Sequence, residues 1–233
     1  MVQIDKDRLL EFLNKIKING GVKDAIFDFN ENGMEINAHD VTQISCVNSI
    51  LYKNAFSDYS AIGKIGISEL DTLISIIAKF SKDIKITVNG HLLTIQEPGK
   101  TVEVGITDIN TIFNTRILED NKFEFIENVV VDAKLVNTFL SDVSINSAKK
   151  ISILTQPSKL ILKNDSVRYK FTKEFDIETA IGGVKVSFDT SVLSAIKAFK
   201  ENVLLKIGTG MPMKIEQDND LYKIQIWIAP IMD

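Results

Sequence analysis

The sequence predicts an α+β protein made of two tandem copies of one unit, and three features carry that expectation. Four stretches place apolar residues at helical spacing. The segments between them alternate apolar and polar residues and meet at tight turns, the mark of antiparallel sheets with one buried and one wet face. The second helix of each half aligns without gaps on its counterpart, pairing Leu73/Val192, Ile74/Leu193, Ser75/Ser194, Ile77/Ile196 and Phe80/Phe199.

Residues 5–18 read as the first helix, with Leu9, Phe12, Leu13 and Ile16 on its apolar side and Leu10 beside them. The second spans 68–81, with Ser68 as N-cap, Glu69 in the first turn, and Leu70, Leu73, Ile74, Ile77 and Phe80 facing inward. The third covers 132–145, capped by Asp132, with an inward stripe of Leu135, Val136, Phe139, Leu140 and Val143. The fourth covers 189–200 and turns Val192, Leu193, Ile196 and Phe199 inward.

The turns are equally marked. Residues 84–88 alternate, meet Asn89-Gly90 and return through Leu93 and Ile95, the strongest short-range hairpin signal. Further hairpins are expected from 27–29 through Asn30-Glu31-Asn32-Gly33 to 34–36, and from 159–162 through Asn164-Asp165 to 167–171. A last one runs from 214–216 through Asp218-Asn219-Asp220 to 222–228. Residues 111–128 are less periodic and carry two apolar pairs, Ile112-Phe113 and Ile117-Leu118; they read as a connector between domains at 1–110 and 129–233.

Composition narrows the class. With 233 residues, 45% hydrophobic and 25% charged, the chain can bury a proper core and is not disordered in bulk. One cysteine, Cys46, excludes an internal disulfide and fits a reducing, intracellular setting. The start lacks a charged segment followed by an apolar core, so no signal peptide is expected, and no apolar run is long enough for a bilayer. A net charge of −4 means that any DNA contact must come from segregated charge. Catalysis finds little support: His39 and His91 have no carboxylate or cysteine cluster at ligand spacing, and Gly208-Thr209-Gly210 lacks the third glycine and the βαβ context of a nucleotide loop. No metal or cofactor is expected.

Two segments then resemble a known family. The N-terminal half carries Gly33-Met34-Glu35-Ile36-Asn37-Ala38-His39-Asp40-Val41-Thr42-Gln43-Ile44-Ser45, and the chain ends Ile226-Trp227-Ile228-Ala229-Pro230-Ile231-Met232-Asp233. Both resemble archaeal and eukaryotic DNA sliding clamps of the proliferating-cell nuclear antigen (PCNA) type. Those clamps carry G-ϕ-x-ϕ-x-x-x-D-x-x-x-ϕ-S, where ϕ is apolar, and finish with an aromatic followed by ϕ-A-P-x-ϕ. The resemblance implies two tandem clamp domains with antiparallel sheets outside and four helices per subunit lining a ring. Three subunits close head to tail around duplex DNA, and no residue is catalytic.

The resemblance also implies partners: double-stranded DNA gripped without sequence specificity, a DNA polymerase, a clamp loader, and clients with a short Q-x-x-aliphatic-x-x-aromatic-aromatic motif. It implies a homotrimer inside the cell, in the cytoplasm of an archaeon or a virus-infected cell, or in a eukaryotic nucleus, with no membrane partner. A subunit of a heterotrimeric or checkpoint-type clamp, or an unrelated two-domain interaction protein, stays open beside it. On the solvated helix faces, Arg8, Lys15, Lys17, Lys79, Lys82, Lys134, Lys197 and Lys200 would face DNA, beside Ser194 and diluted by Glu11 and Glu201. Without the resemblance, such lysines are ordinary solvated residues. His39, Gln43, Ile44, Ile117, Leu118, Pro212, Trp227, Ala229, Pro230 and Met232 would receive the client peptide, although Trp227 can equally be a core aromatic. His39 stands where the family often has an apolar residue. Subunit closure would pair a strand at 101–109, bearing Glu103 and Asp108, with one at 167–174, bearing Arg168, Lys170 and Lys173.

Overall fold

The structure is a computed structural model that describes residues 1–113, 118–145, 148–166, 169–177 and 180–232. The chain divides into two compact units, Met1–Ile117 with Asp218–Ile224, and Leu118–Gln217 with Gln225–Asp233. The first runs β1 (Val2–Asp5), α1 (Lys6–Ile16), β2 (Ala25–Asn30), β3 (Gly33–His39), β4 (Ser45–Tyr52), β5 (Asp58–Tyr59) and β6 (Gly63–Ile67). It continues through α2 (Leu70–Ile77), β7 (Asp83–Asn89), β8 (Leu92–Glu97) and β9 (Lys100–Gly105). The second runs β10 (Glu127–Asp132), α3 (Ala133–Ser144), β11 (Lys150–Gln156), β12 (Lys159–Asp165), β13 (Lys170–Asp176) and β14 (Lys185–Asp189). It ends with α4 (Thr190–Leu193), β15 (Asn202–Ile207), β16 (Met213–Asp218) and β17 (Tyr222–Ile228), of which Asp218 and the residues of β17 up to Ile224 belong to the first unit.

Strand order displays the duplication. Strands β1-β7-β8-β9, with short β5 added at β1, correspond to β10-β15-β16-β17; β6-β2-β3-β4 corresponds to β14-β11-β12-β13. In each unit a strand–helix pair, β1-α1 or β10-α3, opens the copy, and β6-α2 or β14-α4 stands at its middle. The mixed α+β fold with antiparallel sheets is the one expected.

Local chemistry explains most boundaries. Asp5 caps α1 by accepting from the Arg8 N–H at 2.9 Å, and Leu9, Phe12, Leu13 and Ile16 are buried beneath it. Asp132 and Asp189 cap α3 and α4 by accepting from the N–H groups of Lys134 and Ser191, each at 2.8 Å. The hairpin of β7 and β8 turns at Gly90, whose φ of +59° suits a residue without a Cβ. Between β2 and β3, Phe29 pairs with Met34 and Asn30 with Gly33, leaving Phe27, Phe29, Met34 and Ile36 in the core.

Five expectations are corrected. Ser68 is not the cap of α2: the helix starts at Leu70 after Glu69 in a left-handed conformation, and the Ser68 hydroxyl accepts from Thr107 Oγ1 at 2.8 Å. The fourth helix is a single α turn followed by a 3-10 segment over Ser194–Ala198. Ser194 is buried there, donating to the Ser191 carbonyl, and does not sit on the polar face; serine side chains that bond nearby backbone favour such tight turns. Leu135 is 46% exposed and leaves the α3 stripe to Val136, Phe139, Leu140 and Val143. Residues Asn164 and Asp165 belong to β12, paired with Phe171 and Lys170, so that hairpin turns later than expected.

Candidate nucleic-acid and partner interfaces

The helical faces come first. Lys79 and Lys82 near the end of α2, Lys134 on α3, and Lys197 and Lys200 after α4 are exposed, as a loose electrostatic surface requires. Lys15 departs from them. It is 2% exposed, its ammonium lies 2.7 Å from Glu11, hydrogen-bonds the Tyr222 hydroxyl, and sits 4.4 Å from the Tyr222 ring centroid. The lysine's long apolar stem lets the polar-face position of α1 turn its head inward when an acceptor and an aromatic face lie there. Arg8 and Lys17 are half-buried; the Arg8 guanidinium donates to the Ala55 carbonyl at 2.6 Å and Lys17 lies 3.7 Å from Asp71.

Lys15 is thus buried and paired, and does not lie on the solvated face where it was expected. Replacing it by methionine, which keeps the stem but takes the close partner from the buried Tyr222 hydroxyl, is expected to cost about 1–3 kcal/mol. Urea denaturation checks this.

The peptide-binding candidates fall in both units. In the first, His39 ends β3, and Gln43 and Ile44 lie exposed in the turn that follows. That turn is built on Asp40, a buried carboxylate that accepts from the Ser45 N–H at 2.7 Å and from the backbone and hydroxyl of Thr42. The His39 ring places Nδ1 2.8 Å from the Asp40 carbonyl and meets the edge of Phe113 at 4.6 Å between centroids. Phe113 belongs to the start of the connector, where Ile112 and Phe113 lie beside β2, β3 and β6. A cavity of about 470 Å³ lies between them, lined by Ile26, Asp28, Asn37, Lys64, Ile112 and Phe113 among others. Ile117 lies outside the described residues.

In the second unit, Pro212, Leu118, Ala229 and Pro230 are half-exposed and Met232 is 78% exposed. The tail is tied down by the Ile231 N–H, which donates to the Ser187 carbonyl at 2.8 Å. Trp227 is neither an open pocket wall nor an ordinary core residue. Alternation along β17 sends Ile224, Ile226 and Ile228 into the core and Trp227 to the opposite face, yet Trp227 is 2% exposed. Its covers are Phe123 and Phe125 of the connector, with ring centroids at 5.2 and 5.9 Å, and the Lys214 ammonium at 5.4 Å.

The charged cluster beside that ring was not foreseen from the sequence. Lys206 and Lys214 lie directly opposite each other on β15 and β16, and Asp120 of the connector inserts between them. Asp120 accepts from Lys214 at 2.7 and 2.9 Å and from Lys206, while Lys214 also reaches Glu216 at 2.6 Å. Desolvation pushes the Asp120 carboxyl up, but the hydrogen bonds and charges of the two lysines outweigh it and hold it below the usual carboxylate range. Desolvation draws Lys206 down, but the hydrogen bond and charge of Asp120, with the charge of Glu216, together raise it. The readable hint was a pair of lysines in register across a hairpin, which like-charge repulsion disfavours unless a counterion is shared.

The edges expected to join subunits are partly as described above. Strand β9 ends at Gly105, so Glu103 lies on it, whereas Asp108 caps the following 3-10 turn by accepting from the Asn110 N–H at 2.9 Å. Strand β13 carries Lys170 and Lys173, both exposed; Arg168 lies outside the described residues. Both strands stand at the end of their sheets in strand order. Cys46 is buried on β4, and desolvation, aided by Asp40, pushes its thiol up to about 12, which leaves it inert. Among the described residues no cluster of histidine, cysteine, aspartate or glutamate is placed to hold a metal ion, and no helix is long and apolar enough to cross a membrane.

Solved structures share this architecture over its full length. The chain matches A. fulgidus PCNA, solved with the C-terminal region of FEN-1 bound, at a TM-score of 0.85 and 16% identity, covering 100% of this chain and 98% of that one. The fold is that of PCNA-type clamps. PCNA from Entamoeba histolytica matches at TM-score 0.81 and 17% identity, covering 99% and 98%. A chain of the PCNA2-PCNA3 complex from Sulfolobus tokodaii matches at 0.79 and 16%, covering 98% of each. No protein-family model matches the sequence, and no curated protein does. At such low identity the likeness lies in backbone arrangement, so side-chain roles rest on the geometry above.

Proposed function

We propose that the chain is one subunit of a ring-shaped DNA sliding clamp, a scaffold without catalytic chemistry that tethers replication and repair proteins to duplex DNA. The observation that carries this reading is the duplicated strand order matched from end to end by PCNA structures. Exposed lysines near α2, α3 and α4 fit the DNA side, since a closed ring needs only weak, mobile phosphate contact. On this reading the domains are 1–110 and 129–233, joined by the connector 111–128. Edges β9 and β13 close the ring, with Glu103 on one and Lys170 and Lys173 on the other. Client peptides use His39, Gln43 and Ile44 of the first unit and Leu118, Pro212, Trp227, Ala229, Pro230 and Met232 of the second. The relative solved with a FEN-1 segment supports the peptide role, and the PCNA2-PCNA3 complex makes a ring of unlike subunits the second reading.

The expected result is a trimer by light scattering that extends the products of a DNA polymerase only on templates onto which it is loaded or threaded. A monomer that trimerises only with a related chain would select the second reading. Replacing Lys79, Lys82, Lys134 and Lys197 together by alanine should impair loading and lower the salt slope by about one unit per lost phosphate contact. Each single change should be mild. One lysine that abolishes function alone, with assembly intact, would refute distributed contact.

A further inference from the structure

Trp227 is hidden by a segment that the rest of the protein holds weakly. Over residues 119–125, the N–H groups of Lys122 and Phe123 donate to the carbonyls of Glu119 and Asp120, within the segment itself. The next backbone tie to the sheet is the Ile126 N–H to the Ile207 carbonyl at 3.0 Å. Side chains therefore carry the docking: Asp120 between Lys206 and Lys214, and Phe123 and Phe125 against Trp227. Few backbone ties are what local opening below the cost of global unfolding requires.

Two features point to a second occupant. The Trp227 Nε1–H is buried and has no hydrogen-bond partner among the described residues, so the closed arrangement leaves a strong donor unused. The indole face is filled by the chain's own Phe123, held by contacts between rings and not by backbone. A peptide bringing an aromatic ring together with a backbone carbonyl would satisfy both the face and the donor.

We propose that residues 119–126 form a lid, latched by Asp120, and that Phe123 occupies the place an incoming peptide's aromatic residue takes when the lid lifts. The lid's occupant chemistry rests on the clamp reading; its motion does not. Asp120 is the latch because it bridges Lys206 and Lys214, which face each other across the hairpin, whereas Glu216 is bonded to Lys214 and not to Lys206. Asp120 acts through the lid and touches no client, so it is a positioning residue.

The test uses the full chain and the isosteric variant Asp120→Asn, with the single tryptophan as reporter. The latch predicts that acrylamide quenches Trp227 several-fold better in the variant. Hydrogen exchange at residues 120–125 should quicken roughly tenfold, with amides of β15, β16 and β17 unchanged. A synthetic peptide of the Q-x-x-aliphatic-x-x-aromatic-aromatic type should bind the variant about fivefold more tightly, because the lid no longer competes. Unchanged quenching overturns the proposal, as does faster exchange spread through β15–β17, which marks Asp120 as a general structural residue. Weaker peptide binding in the variant also overturns it, since the segment would then be a fixed wall of the site. If quenching rises but neither protein binds the peptide, the moving lid stands and the client reading fails. The double variant Asp120→Lys with Lys206→Asp, which restores an opposite-charge pair, should return quenching to the starting level.

Discussion

Replacing Lys170 and Lys173 by glutamate is expected to turn the proposed trimer into monomers while leaving each subunit folded. Both lysines lie exposed on β13, an end strand of its sheet, and Glu103 lies on β9, an end strand of the other. An end strand carries unpaired backbone groups that can pair with another chain, so backbone bonding supplies affinity and charge supplies choice of partner. Of the two carboxylates on β13, Glu174 and Asp176, Glu174 is already engaged by Lys159 of β12 at 2.7 Å. Reversing two cations sets like charges across the joint, where juxtaposed like charges cost several kcal/mol. No loss of fold is expected, because neither side chain is buried and surface changes of this kind stay within about 0.5 kcal/mol. Light scattering reads the mass and circular dichroism the fold. Adding Glu103→Lys on the same chain should recover part of the assembly. A trimer that survives both lysine changes would move the joint to other strands and remove the charge argument.

The fold was legible because its determinants are local. Asp5, Asp132 and Asp189 each stand immediately before an apolar stripe, and each caps its helix. Asn89-Gly90 marks a hairpin that needs no tertiary help to be recognised. What failed depended on residues far apart in sequence. Lys15 reads as a solvated lysine until Tyr222 supplies a hydroxyl and a ring face to bury it. Trp227 reads either as core or as pocket, since alternation fixes only its direction; its burial is decided by Phe123 and Phe125, whose connector carries no periodic signal. The resemblance puts Asp108 on a strand at 101–109, whereas its carboxylate favours the turn it caps. The candidate site was thus readable residue by residue only where a local motif fixed the backbone, as Asp40 does after β3.

Gly66→Ala is expected to loosen the connector where it crosses the first unit. Gly66 lies in β6, paired with Ile26, and also forms an isolated bridge with Thr107, whose N–H donates to the Gly66 carbonyl at 2.9 Å. A Cβ there would stand 2.3 Å from the Thr107 carbonyl oxygen and 2.8 Å from Ile112 Cδ1. The first of these is backbone and cannot swing aside, so the strap must lift as a whole. Lifting it surrenders the Thr107 bond and exposes Ile112, now 8% exposed, at a cost of roughly 2–3 kcal/mol by the overpacking and burial involved. The β2–β6 ladder does not depend on the bridge, so the unit should stay folded while amides at 106–112 exchange faster. Gly105→Ala is the matched control: no atom lies within 4 Å of its Cβ position, and its exchange and urea midpoint should match those of the unchanged protein. Equal behaviour of the two variants would mean that the close approach at Gly66 relaxes without moving the connector. A large midpoint shift with uniform exchange across β2, β3 and β6 would mean that Gly66 serves the sheet and not the strap.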